Sequence, residues 1–271
     1  MQPTVVIAYA PFGDYKIEQE ILQRLDGEIL YFAGTHSPEA QTAMQTADAV
    51  MITVQPVQAD LINRLERCKL ICRVGTGLDA IDLDAAAQRG IWVTYVPDYS
   101  IDEVSTHAIS LLLAQARGIP QLIASTRAGQ WNNAAAGTVY RLRGQTWGLL
   151  GCGRIGQAVA AKGQGLGLRV IAYDPYMDAQ SIRAVGVEPV DFETLLRSSD
   201  FISLHSPLTA ANRHIINAAS LAQMKPTAYL INTARGQIID EVALIEALEH
   251  KQIAGAGLDV FEHEPLAKNH P

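Results

Sequence analysis

The sequence predicts an α/β protein of two units, each built on a parallel sheet, and three observations carry that expectation. Short apolar runs alternate with amphipathic stretches along the chain, the pattern of strands joined by crossover helices. The runs fall into two series, at 4–95 and 146–260, with a stretch of fading periodicity between them. The length of 271 residues also suggests two domains, at about 150 residues per domain.

In the first series the strand candidates are TVVIAY (4–9), EILYF (28–32), AVMITV (49–54), KLICRV (69–74) and IWVTY (91–95). Helical stretches such as IEQEILQRL (17–25) and ADLINRLERC (59–68) lie between them. The unit ends near VPDYS (96–100), which places a first domain at 1–99 and a second at 100–271. SIDE (100–103) then offers a capping box, Ser100 as N-cap with Glu103 three residues on, ahead of the helical run AISLLLAQA. From 119 to 145 the pattern is irregular, which suggests a segment reaching over a neighbouring domain or subunit and, in the second case, a homodimer. The second series is TWGLL (146–150), LRVIAY (168–173), DFISLH (200–205), AYLINT (228–233) and AGAGLDV (254–260).

Composition narrows the function classes. With 48% apolar and 18% charged residues the chain can bury a sizeable core. A net charge of −7 speaks against nucleic acid or an anionic membrane as the main partner. Cys68, Cys72 and Cys152 form no CxxC and are odd in number, which fits a reduced, cytoplasmic setting. No run approaches the roughly 18 apolar residues of a membrane span. The start, MQPTVVIAYAPFG, lacks a basic leader region and reads as a first strand.

The chemistry begins at GCGRIG (151–156), a G-x-G-x-x-G pattern of Gly151, Gly153 and Gly156. It follows a strand candidate and opens the helical run RIGQAVAAKG, the context a dinucleotide-binding turn requires. The first glycine allows the tight turn, the second lets backbone approach a pyrophosphate, and the third lets helix pack on strand. Asp174 ends the next strand, eighteen residues after Gly156. There a carboxylate can accept hydrogen bonds from ribose hydroxyls and repel a 2′-phosphate, which favours NAD over NADP. Asp174 could equally cap the turn before Pro175. Three further segments end strand candidates: LHSPLT (204–209), NTARG (232–236) and GLDVFEHEP (257–265). His205 and Asp259 alone read as polar strand-end residues, whereas Arg235 in a loop of small residues suits clamping an anion.

Together these segments resemble the D-isomer-specific 2-hydroxyacid dehydrogenases. The matches are RVGTGLDAIDLDAA (73–86), VPDYSIDEVSTHAISLLL (96–113), LLGCGRIGQAVA (149–160), YDPY (173–176), LHSPLT, NTARG and AGAGLDVFEHEPL (254–266), in the family's order. RLRGQT (141–146) followed by YDPY resembles the branch of the C-terminal-binding co-repressors and their bacterial enzyme relatives. The resemblance implies two doubly wound parallel-sheet domains, a flavodoxin-like substrate domain and a Rossmann NAD-binding domain. It implies interconversion of a small D-2-hydroxy acid and its 2-keto acid with NAD. By position Val74 and Gly75 match the loop that holds the substrate carboxylate, and Arg154 and Ile155 the pyrophosphate loop. Asp174 matches the ribose-binding acid, and His205, Pro207, Thr233, Ala234 and Asp259 the lining of the adenine and nicotinamide sites. Arg235 matches the catalytic arginine and Glu264 the catalytic glutamate.

One departure stands out. The family's proton-donating histidine belongs to a later segment, only seven residues follow Glu264, and neither His263 nor His270 matches it. The sequence is therefore expected to bind NADH but to turn over 2-keto acids poorly, with His205 and His107 as the substitutes to weigh. The ending FEHEPLAKNHP also permits a metal reading, with Glu262, His263, Glu264 and His270 as ligands, although contiguous residues rarely converge on one ion. The rival functional class is an NADH-sensing interaction protein of the co-repressor kind.

Overall fold

In the computed structural model, which describes residues 2–9 and 14–271, the chain divides into Met1–Tyr99 and Ser100–Pro271. The first unit holds five strands: β1 (Thr4–Ala8), β2 (Glu28–Phe32), β3 (Ala49–Ile52), β4 (Leu70–Arg73) and β5 (Trp92–Tyr95). They are parallel, in the order β2-β1-β3-β4-β5. After β2 the chain crosses back over β1 to add β3 on its far side, the doubly wound order of a flavodoxin-like sheet. Helices α1 (Lys16–Leu22), α2 (Pro38–Gln45), α3 (Ala59–Ile62) and α4 (Leu83–Gln88) make the connections. Val6, Ile7, Ile52 and Ile71 are fully buried because crossover helices cover a parallel sheet.

The expected helix over 59–68 is four residues long. Glu66 N donates to Gln45 O (2.8 Å) and Arg67 pairs with Asp48 (2.9 Å). These bonds pull the chain out of helical geometry and aim it into β4, while Leu65 still reaches the core. Tertiary partners here outweigh a helical sequence pattern.

The second unit contains β6 (Thr146–Leu150), β7 (Arg169–Tyr173), β8 (Glu188–Pro189), β9 (Phe201–Leu204), β10 (Tyr229–Asn232) and β11 (Gly255–Leu258). All are parallel, ordered β11-β10-β9-β6-β7-β8. This is the Rossmann order, and its direction reverses between β6 and β9, which opens a crevice beyond their C-terminal ends. The helices are α5 (Ile101–Ala116), α6 (Ile119–Arg127), α7 (Arg154–Gly165), α8 (Ala179–Ala184), α9 (Phe192–Ser198), α10 (Ala218–Leu221) and α11 (Glu241–Glu249). β8 has two residues and leaves no apolar run, so no strand is expected there from sequence.

The capping box expected at the start of α5 does not form. Ser100 is the N-cap, but its backbone (φ −112°, ψ 14°) is not extended and its side chain makes no capping hydrogen bond. Lys162 of α7 secures that turn instead: its Nζ donates to Asp102 Oδ1 (2.6 Å), Ser105 Oγ (2.7 Å) and Thr106 Oγ1 (2.7 Å).

Candidate active site

The loops after β6 and β9 meet at the crevice. Gly151 has φ +98°, and a Cβ there would lie 2.8 Å from the His205 carbonyl carbon and Ser206 nitrogen. Left-handed backbone and lack of space both exclude a side chain at this position. A Cβ on Gly156 would strike the Gly151 carbonyl, so the third glycine seats α7 on the turn itself, where contact with the strand was expected. Gly153, the N-cap of the twelve-residue α7, faces open space. Arg154 is exposed and Ile155 partly buried in the first turn. The partial positive charge of such a helix end attracts an anion.

Asp174 ties this turn together. Its Oδ2 accepts from Cys152 N (2.8 Å), and its Oδ1 from Tyr176 N (2.9 Å) and Met177 N (3.2 Å). The turn-capping role weighed from the sequence is therefore real. Oδ2, which accepts only once, has a further lone pair with which to receive a ribose hydroxyl.

His205 follows β9, with Nε2 2.7 Å from Ser203 Oγ. Ser203 Oγ also accepts from Trp147 Nε1 (2.9 Å). Indole only donates, so Ser203 Oγ accepts from Trp147 and keeps one lone pair and its proton for the bond to His205 Nε2. Burial pushes its pKa down to about 4, so His205 is neutral at neutral pH and is not an imidazolium donor. His107 on α5 is engaged elsewhere, with Nε2 3.3 Å from Asp259 Oδ1. Pro207 is exposed. The loop around it is held by Asn212, whose amide reaches Pro207 O (2.7 Å) and Ser206 Oγ (3.2 Å) and whose Oδ1 accepts from Thr209 N (2.7 Å).

Beyond β10, Asn232 plays the same part. Fully buried, it donates from Nδ2 to Arg235 O (2.8 Å) and accepts on Oδ1 from Ala234 N (2.9 Å). Neither asparagine was singled out from sequence; an Asn within three residues of a turn is the only sign available. Among the described residues, Thr233 Oγ1 is buried with no hydrogen-bond partner. An orphan of this kind costs about 1–3 kcal/mol, and a bound cofactor lying across the loop would relieve it. The arrangement therefore fits a dinucleotide: an open helix N-terminus, a bracing acid and a donor-acceptor hydroxyl awaiting a partner.

Arg235 is partly exposed, with Nη1 donating to Ala234 O (2.7 Å). Gly236 is buried, and a Cβ there would overlap the carbonyl group of Phe261 and the nitrogen of Glu262. The two backbones touch, which draws together the loops bearing Arg235 and Glu264. Asp259, just past β11, donates its N–H to Asn232 O (2.9 Å). Glu264 is exposed and accepts from Phe261 N (3.0 Å). Three of the four residues of the metal reading diverge: Glu262 faces Arg213 and His214, His270 faces Glu241, and Glu264 bonds within its own turn.

In the first unit, Val74 and Gly75 follow β4. Val74 N donates to Ile52 O (2.8 Å) and Gly75 N to Arg73 O (2.9 Å). Both N–H groups are thus engaged inside the unit, and a carboxylate would compete with those bonds.

A Rossmann sheet with a glycine turn, a bracing acid and an orphan hydroxyl at its switch point defines a dinucleotide-binding α/β protein. Residues 109–271 match the NAD binding domain of the D-isomer specific 2-hydroxyacid dehydrogenases, and the chain belongs to that family. It is 44% identical over 222 residues to a glyoxylate reductase of Thermococcus litoralis, covering 80% of this chain and 67% of that one. It is 41% identical over 245 residues to a D-3-phosphoglycerate dehydrogenase of Methanocaldococcus jannaschii, covering 90% of this chain and 47% of the other. The chain thus spans about half the length of that dehydrogenase. Among solved structures, D-lactate dehydrogenase from Aquifex aeolicus, complexed with NAD and lactic acid, superposes with a TM-score of 0.89 at 30% identity, covering 98% of this chain and 82% of that one.

Proposed function

We propose that the chain is an NAD-dependent oxidoreductase that interconverts a small D-2-hydroxy acid and its 2-keto acid. The observation that carries this is the direct backbone contact at Gly236, which sets an arginine loop and a glutamate segment side by side at the edge of an NAD-binding crevice. Residues 1–99 form the substrate domain and 100–271 the NAD-binding domain. NAD, when bound, supplies and accepts the hydride. Gly151, Gly153, Arg154, Ile155 and Gly156 receive the pyrophosphate, and Asp174 the ribose. His205, Pro207, Thr233, Ala234 and Asp259 line the remainder, with the Thr233 hydroxyl gaining its missing partner. Arg235 polarises the keto oxygen and holds the carboxylate. Val74 and Gly75 shape the substrate side, and Glu264 matches the carboxylate that, in the family, orients a proton-donating imidazole. Glyoxylate and hydroxypyruvate, the substrates named for relatives, are the first compounds to assay with NADH by absorbance.

Cofactor choice tests the ribose assignment. NADH should bind at least tenfold more tightly than NADPH, a gap of about 1.4 kcal/mol. Asp174→Asn keeps an acceptor while removing the charge, and should narrow the gap. Asp174→Ala also releases Cys152 N, and should weaken both cofactors. Equal affinities for the two cofactors in a wild-type titration would remove Asp174 from the ribose site.

We further propose a cytoplasmic homodimer. Cys68, Cys72 and Cys152 are free, and among the described residues no helix is long and apolar enough to cross a membrane. The 119–145 segment exposes Ile119, Ile123, Tyr140 and Trp131, the last almost completely (99%). Apolar side chains so displayed mark a protein interface. Ile123→Glu combined with Trp131→Glu should sediment as a monomer where the parent chain is a dimer. A monomeric parent would refute the assembly.

A further inference from the structure

Glu262 lies two residues before Glu264 and has a different environment. Its carboxylate is nearly buried, with 15% of the side chain exposed. Oε1 accepts from His214 Nε2 (2.7 Å) and Arg213 Nη2 (3.1 Å). Its N–H donates to Glu241 Oε2 (2.8 Å), and the other oxygen of Glu241 pairs with His270 Nε2 (2.5 Å). Its carbonyl accepts from Gln237 Nε2 (3.0 Å). One residue is thereby gripped through side chain, N–H and carbonyl by three separate elements.

Two of those elements are joined to each other. His214 N donates to Gln237 O (3.0 Å), Ile216 N to Ile238 O (3.2 Å) and Asp240 N to Ile216 O (2.8 Å). The strip at 213–216 therefore runs alongside the loop that follows Arg235, and Glu262 closes the bundle from the β11 side. Its negative charge is offset by the Arg213 guanidinium and its oxygen is held by His214, so it is committed to holding this bundle. Glu264, exposed and accepting from Phe261 N within its own turn, retains a carboxylate that can act.

We propose that Glu262 is a positioning residue that fixes the Arg235 loop against the Glu264 segment. The proposal rests on the reading of Arg235 as the substrate's anion clamp. Loss of the Glu262 carboxylate removes the bonds to Arg213 and His214 and leaves the 261–264 segment on its backbone bonds to Glu241 and Gln237. This loosens it against the Arg235 loop without touching the glycine turn or Asp174, which lie across β9 and β10 from it.

The test uses the whole chain, NADH and oxamate, an unreactive 2-keto acid mimic whose binding needs no proton donor. Glu262→Ala should weaken oxamate binding to the NADH complex by about ten- to a hundredfold, with NADH affinity unchanged within about twofold. Amide hydrogen exchange over 261–264 should quicken. Glu262→Gln, which keeps an oxygen for Arg213 or His214, should recover part of the affinity. Unaltered oxamate binding in Glu262→Ala, with binding abolished in Arg235→Ala, overturns the proposal. So does a parallel loss of NADH and oxamate affinity in both Glu262 variants, which would make Glu262 a general folding contact. Oxamate binding that survives Arg235→Ala, or is absent from the parent, refutes the reading of the anion clamp, and the role of Glu262 falls with it.

Discussion

Relative to the parent chain, low as that chain's own turnover is expected to be, Arg235→Ala should lower kcat/KM for 2-keto acid reduction by about a thousandfold while leaving NADH affinity nearly intact. Arg235 is held at both ends: its carbonyl by Asn232, and its Nη1 by Ala234 O (2.7 Å). The guanidinium plane is therefore set before substrate arrives, and preorganised charge at a developing oxyanion is worth about 10²–10³ in rate for a single donor. Loss of the carboxylate clamp adds to that. Arg235→Lys should restore only part, since an ammonium is a point charge without the planar fork. Steady-state kinetics with glyoxylate and hydroxypyruvate, paired with NADH titrations, check both statements. A near-normal rate for Arg235→Ala would take the residue out of the chemistry, and matching losses of NADH affinity would make it a loop-folding residue.

Much of the fold was legible because parallel strands buried on both faces appear as continuous apolar runs. Thr146–Leu150 is buried at every position and was found with the correct bounds. The glycine turn and Asp174 were legible for a related reason: their spacing follows from local strand–turn–helix geometry. Features created by distant partners were not. The stretch 59–68 has a helical pattern, yet Gln45 and Asp48 end the helix at Ile62. Ser100 and Glu103 spell a capping box, yet Lys162, remote in sequence, holds that turn. Asn212, Asn232 and Glu262 owe their roles to the segments they bind, and nothing in their immediate neighbours announces it. The fate of His205 also depended on the fold. Only its burial shows an imidazole kept neutral.

Gly236→Ala should be the most damaging single methyl added to the second unit. The glycine is buried, and its φ is not in the left-handed region, so the constraint is space alone. A Cβ would overlap the carbonyl of Phe261 and the nitrogen of Glu262, which are backbone atoms with no rotamer to yield. The 235–237 and 261–262 segments would have to separate, straining the bonds from Gln237 to Glu262 O and from Glu262 N to Glu241. Overpacking of this kind costs about 1–3 kcal/mol, or about 2–12 °C in Tm for a unit of this size. The catalytic loss should be larger in proportion, because a shift of about 1 Å between reacting groups can cost about a hundredfold. NADH affinity should fall by less than the activity, since the glycine turn after β6 is separated from β11 by two strands while Thr233, Ala234 and Asp259 flank the contact. Thermal melts, NADH titration and keto-acid kinetics on Gly236→Ala separate these effects. A variant with lowered Tm but parental kcat/KM would make the contact a stabilising one only. A variant unchanged in both would mean that the two loops do not touch in solution, and the juxtaposition of Arg235 with the Glu264 segment would lose its basis.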